Sequence, residues 1–182
     1  MIIGLCGTIG AGKSTAARYY SQCCGFERLS FGDEVRREAT ARGLSHDRGV
    51  LQKLGARLRQ EEGIHVWVDC IFSQMRPTGN YVVEGIRYPD DIRGLQHRAG
   101  FLLVGIDAPL PLRYERRRLE LLKKGIVFSY NDFIFADNKD RFSSEDEGQC
   151  TDYCLQQAEE MVINDSTLRK FKRELRDILV CR

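Results

Sequence analysis

The 182-residue chain is 42% hydrophobic and 30% charged, enough to bury one sizeable core, and reads as a single domain over residues 1–182. Its 28 basic and 26 acidic side chains leave a formal net charge of +2, which gives no global pull towards polymeric nucleic acid or a membrane surface. The longest apolar runs, such as residues 101–106, are far too short to span a bilayer, so the expectation is a soluble cytoplasmic protein, monomer or homodimer, with small-molecule partners.

An apolar run over residues 2–6 reads as a strand rather than a charged-then-apolar leader. It runs into Gly7-Thr8-Ile9-Gly10-Ala11-Gly12-Lys13-Ser14-Thr15, which is G-x-x-x-x-G-K-[ST], the phosphate-binding P-loop. Gly7, Gly10 and Gly12 allow positive φ, and with Ala11 they bring backbone N–H groups round a phosphate at the start of a helix, where unpaired donors and the helix dipole favour an anion. Lys13 is expected to set an ammonium against the β- and γ-phosphates of ATP, Ser14 to offer Mg²⁺ a hard hydroxyl oxygen, and Thr15 to add a phosphate contact.

Ala16, Ala17 and Tyr20 suit the helix after the loop, with Gly25 as its stop, and residues 26–31 read as a second strand. Gly32-Asp33-Glu34 opens a helix through Arg36 to about Gly43. Ser45 or Asp47 is expected to cap the next, in which Val50, Leu51, Leu54 and Leu58 recur at helical spacing before Gly63. An amphipathic segment over 66–75 ends at Pro77. Residues 81–83 form a third strand with Glu84-Gly85-Ile86-Arg87 at its C-terminal end, and Pro89-Asp90 starts a helix to about Arg98.

A fourth strand over 101–106 stops at Asp107-Ala108-Pro109, and a basic helix over 111–124 carries Arg113, Arg116, Arg117 and Arg118. Residues 125–149 mix aromatic and charged side chains without a readable period. A helix from about Thr151, a fifth strand over 161–163, and a last helix capped by Asp165 or Ser166 complete the chain; Leu168, Phe171, Leu175 and Ile178 form that helix's apolar face. This alternation implies an α/β fold, a parallel sheet covered on both faces in three αβα layers. Ligands in such folds gather at the C-terminal ends of the strands, which brings the P-loop, Asp33, the Glu84–Arg87 turn, Asp107 and the Asn164-Asp165 loop to one rim.

On that rim Arg36 and Arg87 are candidates for clamping an anionic acceptor. Asp33 and Glu84 are candidates for a general base or for ordering Mg²⁺-bound water, with Asp33 a metal-site partner for Ser14. Arg113 and Arg117 share a helix face and are expected to meet phosphate as part of a lid. Trp67 either stacks on an acceptor base or belongs to the core. The seven cysteines are odd in number, form no C-x-x-C pair and read as reduced thiols without a zinc site.

These stretches resemble the nucleoside-monophosphate-kinase-like group of P-loop proteins. Gly32-Asp33-x-x-Arg36 is similar to the Gly-Asp-x-x-Arg of adenylate kinases, whose arginine binds the acceptor phosphate, and Glu84-Gly85-Ile86-Arg87 is similar to their Asp-Gly-Phe-Pro-Arg turn, one residue shorter. Leu51-Gln52-x-Leu54-Gly55 with Trp67 following, Arg87-Tyr88-Pro89, Asp107-Ala108-Pro109 before Arg113 and Arg117, and Ile163-Asn164-Asp165-Ser166 look closer to phage-type deoxynucleoside monophosphate kinases and dephospho-CoA kinases. The resemblance implies a five-stranded parallel sheet, ATP and Mg²⁺ as donor, an acceptor-binding helical insertion at about 33–76, a lid at about 111–140 and an adenine-contacting loop near Asn164. The first expectation is a kinase acting on a nucleoside or deoxynucleoside monophosphate; the alternatives are a dephospho-CoA kinase-like hydroxyl kinase and a non-kinase nucleotide switch. Asp91-Ile92-Arg93-Gly94 matches the D-x-x-G of switch proteins but lies beyond Pro89, and Asn138-Lys139-Asp140-Arg141 lacks the final Asp of N-K-x-D.

Overall fold

The structure is a computed structural model that describes residues 1–141 and 150–180. Five parallel strands, β1 (Ile2–Gly7), β2 (Glu27–Ser30), β3 (Tyr81–Glu84), β4 (Phe101–Asp107) and β5 (Glu160–Ile163), form one sheet in the order β2-β3-β1-β4-β5. β1 lies at the centre, with Ile2 opposite Tyr81 on one side and Phe101 on the other. All six of its residues are buried, which explains a continuous apolar run in place of alternation.

Successive side chains of β1 enter opposite layers, as the two-residue period of a strand requires. Ile3 and Leu5 pack with Ala16, Ala17 and Tyr20 of α1 (Lys13–Cys23) and with Phe171 and Leu175 of α9 (Leu168–Val180). Ile2 and Cys6 join the other layer, built from α2 (Phe31–Ala41), α3 (Arg48–Glu62), α4 (Val66–Ser73), α5 (Pro89–Gln96) and α8 (Thr151–Gln156). Two further helices, α6 (Leu110–Leu122) and α7 (Tyr130–Arg141), follow β4.

Several boundaries differ from the expectation. β2 ends at Ser30, because Ser30 caps α2 by accepting the Asp33 N–H at 3.3 Å, so Phe31 already belongs to the helix. Thr167, rather than Asp165 or Ser166, caps α9, its hydroxyl accepting the Lys170 N–H at 3.2 Å. The unassigned stretch contains α7, which opens on a reciprocal cap: Ser129 Oγ accepts the Asp132 N–H at 3.1 Å and the Asp132 carboxylate accepts the Ser129 N–H at 3.0 Å. The buried residues of α7 are Phe133, Asp137 and Asp140, so the inward face is marked by carboxylates and has no apolar period to read. Residues 142–149 of that stretch, and Cys181, lie outside the described residues. Among the described residues the six cysteines are free thiols, and no helix is long and apolar enough to cross a membrane.

Candidate active site

The loop between β1 and α1 is shaped by glycines that no other residue can replace. Gly7 and Gly10 sit at φ +144° and +77°, and a Cβ on either would lie 1.9 Å from the Ile106 carbonyl oxygen or 2.3 Å from that of Arg113. Among the described residues no side chain caps the N-terminus of α1 and no acid stands in its first turn, which leaves the helix dipole to act on an anion. Lys13 folds its ammonium over the loop and donates to the Gly7 and Thr8 carbonyls at 2.6 and 2.7 Å. Burial first, and then the charge of Arg87, pull its pKa down to about 8. Thr8 Oγ1 donates to Asp107 Oδ1 at 2.5 Å, and the same oxygen accepts the Ala108 N–H at 2.8 Å, so the loop is tied to the end of β4.

The carboxylate beside the Ser14 hydroxyl is Glu84 and not Asp33. Register sets Ser30 against Glu84 at the ends of β2 and β3, and buried Glu84 accepts the Ser14 hydroxyl at 3.0 Å through Oε2 while Oε1 pairs with Arg28. Asp33 pairs with Arg36 on its own helix, stands 3.7 Å from Arg28, and is not among the residues lining the cleft. The expected partnership of Ser14 and Asp33 is therefore corrected: capping draws Asp33 into the first turn of α2, and its carboxylate turns to the arginine one turn along.

A cleft of about 1030 Å³ opens over the loop. Eight arginines (Arg18, Arg28, Arg36, Arg48, Arg59, Arg87, Arg116, Arg117), Lys13 and Lys124 line it, against the carboxylates of Glu84 and Glu120. That balance suits a polyanion.

Arg113 is the second correction. It is buried, stands apart from the cleft lining, and makes a two-pronged pair with Asp137. Its remaining donors bind the Ala108 and Ile9 carbonyls at 3.0 and 3.3 Å, so it braces the phosphate loop from behind. Arg116 takes the cleft position. Its Nη2 donates to the backbone and side-chain oxygens of Asn164 at 3.0 and 3.2 Å, while its buried Nη1 has no partner among the described residues. Arg117 also lines the cleft and pairs with Glu120 at 2.8 Å.

Asn164 borders the cleft, yet its amide is spent on the loop, donating to the Ala11 carbonyl at 2.8 Å. Trp67 borders the cleft but is 3% exposed, packs in the core and donates its indole N–H to the Gly55 carbonyl at 3.1 Å, so it is buried too far to stack on a base.

Elsewhere on the lining, Arg87 donates to Asp140 Oδ2 at 3.0 Å and Arg48 pairs with Oδ1 of the same buried carboxylate. The turn that carries Arg87 is held from beneath. Fully buried Asp91 accepts the N–H groups of Arg87 and Tyr88 at 3.4 Å each and pairs with Arg59 at 2.7 Å, and Arg59 lies over the Tyr88 ring at 4.0 Å. Asp91, the acid of the partial D-x-x-G, and Asp140, at the variable position of Asn138-Lys139-Asp140-Arg141, thus serve ion pairs. Sequence reasoning missed Arg48, Arg116, Asp137 and Asp140; the one available signal was Ser129-x-x-Asp132, a helix-start pattern ahead of the two aspartates.

A family model described as an AAA domain matches residues 3–125. The UPF0200 protein of Methanosarcina barkeri is 30% identical over 184 residues, covering 98% of this chain and 94% of that one. Among solved structures, shikimate kinase from Acinetobacter baumannii in complex with shikimate superposes with a TM-score of 0.61 at 17% identity, over 99% of this chain and 93% of that chain. A gluconokinase from Sinorhizobium meliloti 1021 superposes with a TM-score of 0.55 at 14% identity, over 98% and 91%. At such identities the structural likeness establishes the fold alone, an α/β five-stranded parallel sheet of the P-loop NTPase kind.

Proposed function

The chain belongs to the UPF0200 family and carries an AAA domain, and from that premise we propose that it is an ATP- and Mg²⁺-dependent kinase whose acceptor is a small anion, foremost a nucleoside or deoxynucleoside monophosphate. The observation that carries this reading is the cleft itself: the phosphate loop borders it, and ten cationic side chains, Lys13, Arg48 and Arg87 among them, line it against two carboxylates. A phosphate acceptor is already a nucleophile, so positioning and charge neutralisation supply most of its catalysis.

The residues present fit both parts of the donor. The glycine loop, the open start of α1 and Lys13 suit a polyphosphate, and the Ser14 hydroxyl beside the Glu84 carboxylate offers hard oxygens of the kind Mg²⁺ takes. Bound there, the metal would neutralise charge building on the transferred group. Lys13, Arg116 and Arg117 are then the groups that hold the phosphates; Arg36, Arg48 and Arg87 hold the acceptor. Helices α2 to α4 form the acceptor side, and α6 and α7 the lid side.

The likeness of fold to shikimate kinase and gluconokinase favours a second reading, a hydroxyl acceptor. That chemistry needs a free base, and Asp33, the expected one, is paired with Arg36. The experiment is ADP release from ATP and Mg²⁺ across nucleoside monophosphates, their deoxy forms, dephospho-CoA, shikimate and gluconate, with a no-acceptor control. Stimulation by a monophosphate supports the first reading. Stimulation by a hydroxyl acceptor alone selects the second, and no stimulation by any acceptor removes both in favour of a nucleotide switch.

A further inference from the structure

Arg48 begins α3 and Arg87 ends the turn after β3, 39 residues apart in the chain by their numbering, yet one carboxylate joins them. Asp140 reaches in from α7 and is buried beneath the two guanidinium groups, which themselves line the cleft. Each of its oxygens takes one arginine: Oδ2 accepts from Arg87 Nη1 at 3.0 Å and Oδ1 pairs with Arg48 Nη2. The Arg48 and Arg87 side chains are 45% and 33% exposed, so N–H groups not used on Asp140 remain on the cleft side.

We propose that Arg48 and Arg87 form one two-arginine subsite for the anionic group of the acceptor, a phosphate or a carboxylate, and that Asp140 is the positioning residue that holds the pair together. Two guanidinium groups brought to one site repel each other. A buried carboxylate bridging them removes that repulsion and fixes both planar forks before a ligand arrives, which lowers the ordering cost of binding. Asp140 is itself held by its helix, since Asp137, one turn earlier, is locked to Arg113 behind the phosphate loop. The subsite is close enough to the donor end for Arg87 and Asp140 both to act on the charge of Lys13. This assignment rests on the kinase reading for the identity of the occupant, not for the existence of the subsite.

The test uses inorganic phosphate as probe in the Lys13→Ala background, which weakens the phosphate loop as a competing site, with calorimetric titration of Arg48→Gln, Arg87→Gln, the double variant and Asp140→Asn. Each single arginine change is expected to weaken phosphate binding about tenfold, the scale for one charge-assisted hydrogen bond. Because the two act as one site, the double variant should lose much less than the product of the singles. Asp140→Asn should weaken phosphate binding several-fold while leaving Mg-ADP binding unchanged when measured with Lys13 intact and well below pH about 8, where its ammonium stays charged in both proteins. Equal or tighter phosphate binding by Asp140→Asn would overturn the positioning role, because the carboxylate would then be a competitor. Should that variant not fold, the arginine cycle decides: multiplicative losses overturn the single subsite. Repeating the cycle with acetate shows whether the pair prefers phosphate or carboxylate. Loss of Mg-ADP binding by the wild-type chain would sink the kinase reading and leave the phosphate cycle standing.

Discussion

Arg113 and Asp137 meet as two buried forks, Nη1 to Oδ1 at 2.6 Å and Nη2 to Oδ2 at 3.0 Å, 24 residues apart in the chain. The pair fastens α7 to the base of α6, and through the Ile9 carbonyl it fastens both to the phosphate loop. An arginine read from sequence as a phosphate ligand is instead the strut behind the phosphate site.

Removing one partner of this pair strands a buried charge, so Asp137→Ala is expected to cost about 3–5 kcal/mol of stability. Replacing both residues by apolar side chains of similar volume should cost far less. Urea unfolding of the single and double variants tests this, and equal losses would show that the pair matters for packing alone.

Lys13→Ala is expected to lower turnover roughly a hundredfold or more, the scale for losing a preorganised charge-stabilising donor. The check is steady-state ADP release with whichever acceptor stimulates it. Wild-type-like turnover would remove Lys13 from the reaction.

The pH dependence follows from the same lysine. Its ammonium is held at about 8 against an ordinary 10.5, burial being the larger cause and Arg87 the next. Between those values the unfolded chain binds more protons than the native one, so this group's contribution to stability rises with pH across that window. A bound polyphosphate acts oppositely, because it favours the ammonium and takes up a proton wherever the free protein has lost it. Mg-ADP affinity is therefore expected to be level below pH about 8 and to fall as pH rises above it, a slope that Lys13→Ala should abolish. Calorimetry across that range decides; affinity rising with pH contradicts the assignment.

Glu84→Gln keeps the shape of the site and removes a charge beside Ser14 and Arg28. Turnover is expected to fall roughly 10–100-fold, as for groups that orient a metal site. The Mg²⁺ concentration needed for half-maximal rate should rise with it. An unchanged Mg²⁺ requirement would confine Glu84 to its ion pair with Arg28.

Arg87→Ala should raise the acceptor's KM while sparing that of ATP, since Arg87 is joined through Asp140 to Arg48 and makes no hydrogen bond to the glycine loop among the described residues. Initial-rate kinetics with each substrate varied in turn make the comparison, and equal losses for both would contradict the division of the cleft.

Much of this fold was legible because it is locally encoded. A glycine loop between an apolar strand and a helix is a motif of consecutive residues, and its steric demands at Gly7 and Gly10 are met by backbone within the same fold. Strands and helices alternate with clear periods nearly throughout, so the parallel sheet followed. The exception was α7, whose inner face carries Asp137 and Asp140 where a helix ordinarily carries apolar side chains.

What the sequence alone determined, then, is the phosphate-loop motif and the order of the strands along the chain, since each depends on residues within a turn or two of one another. Only the tertiary structure decided which charges meet. Helical spacing sets Arg113 and Arg117 on one face but not what that face meets, and packing against the loop sent Arg113 inward while Arg116 and Arg117 went to the cleft. Ser14 with Glu84, and Asp140 with Arg48 and Arg87, join residues 70, 92 and 53 positions apart. An ion pair between such distant positions leaves no local pattern, because its partners are chosen by where sheet order and helix docking bring them, and by the cost of burying a charge without a partner.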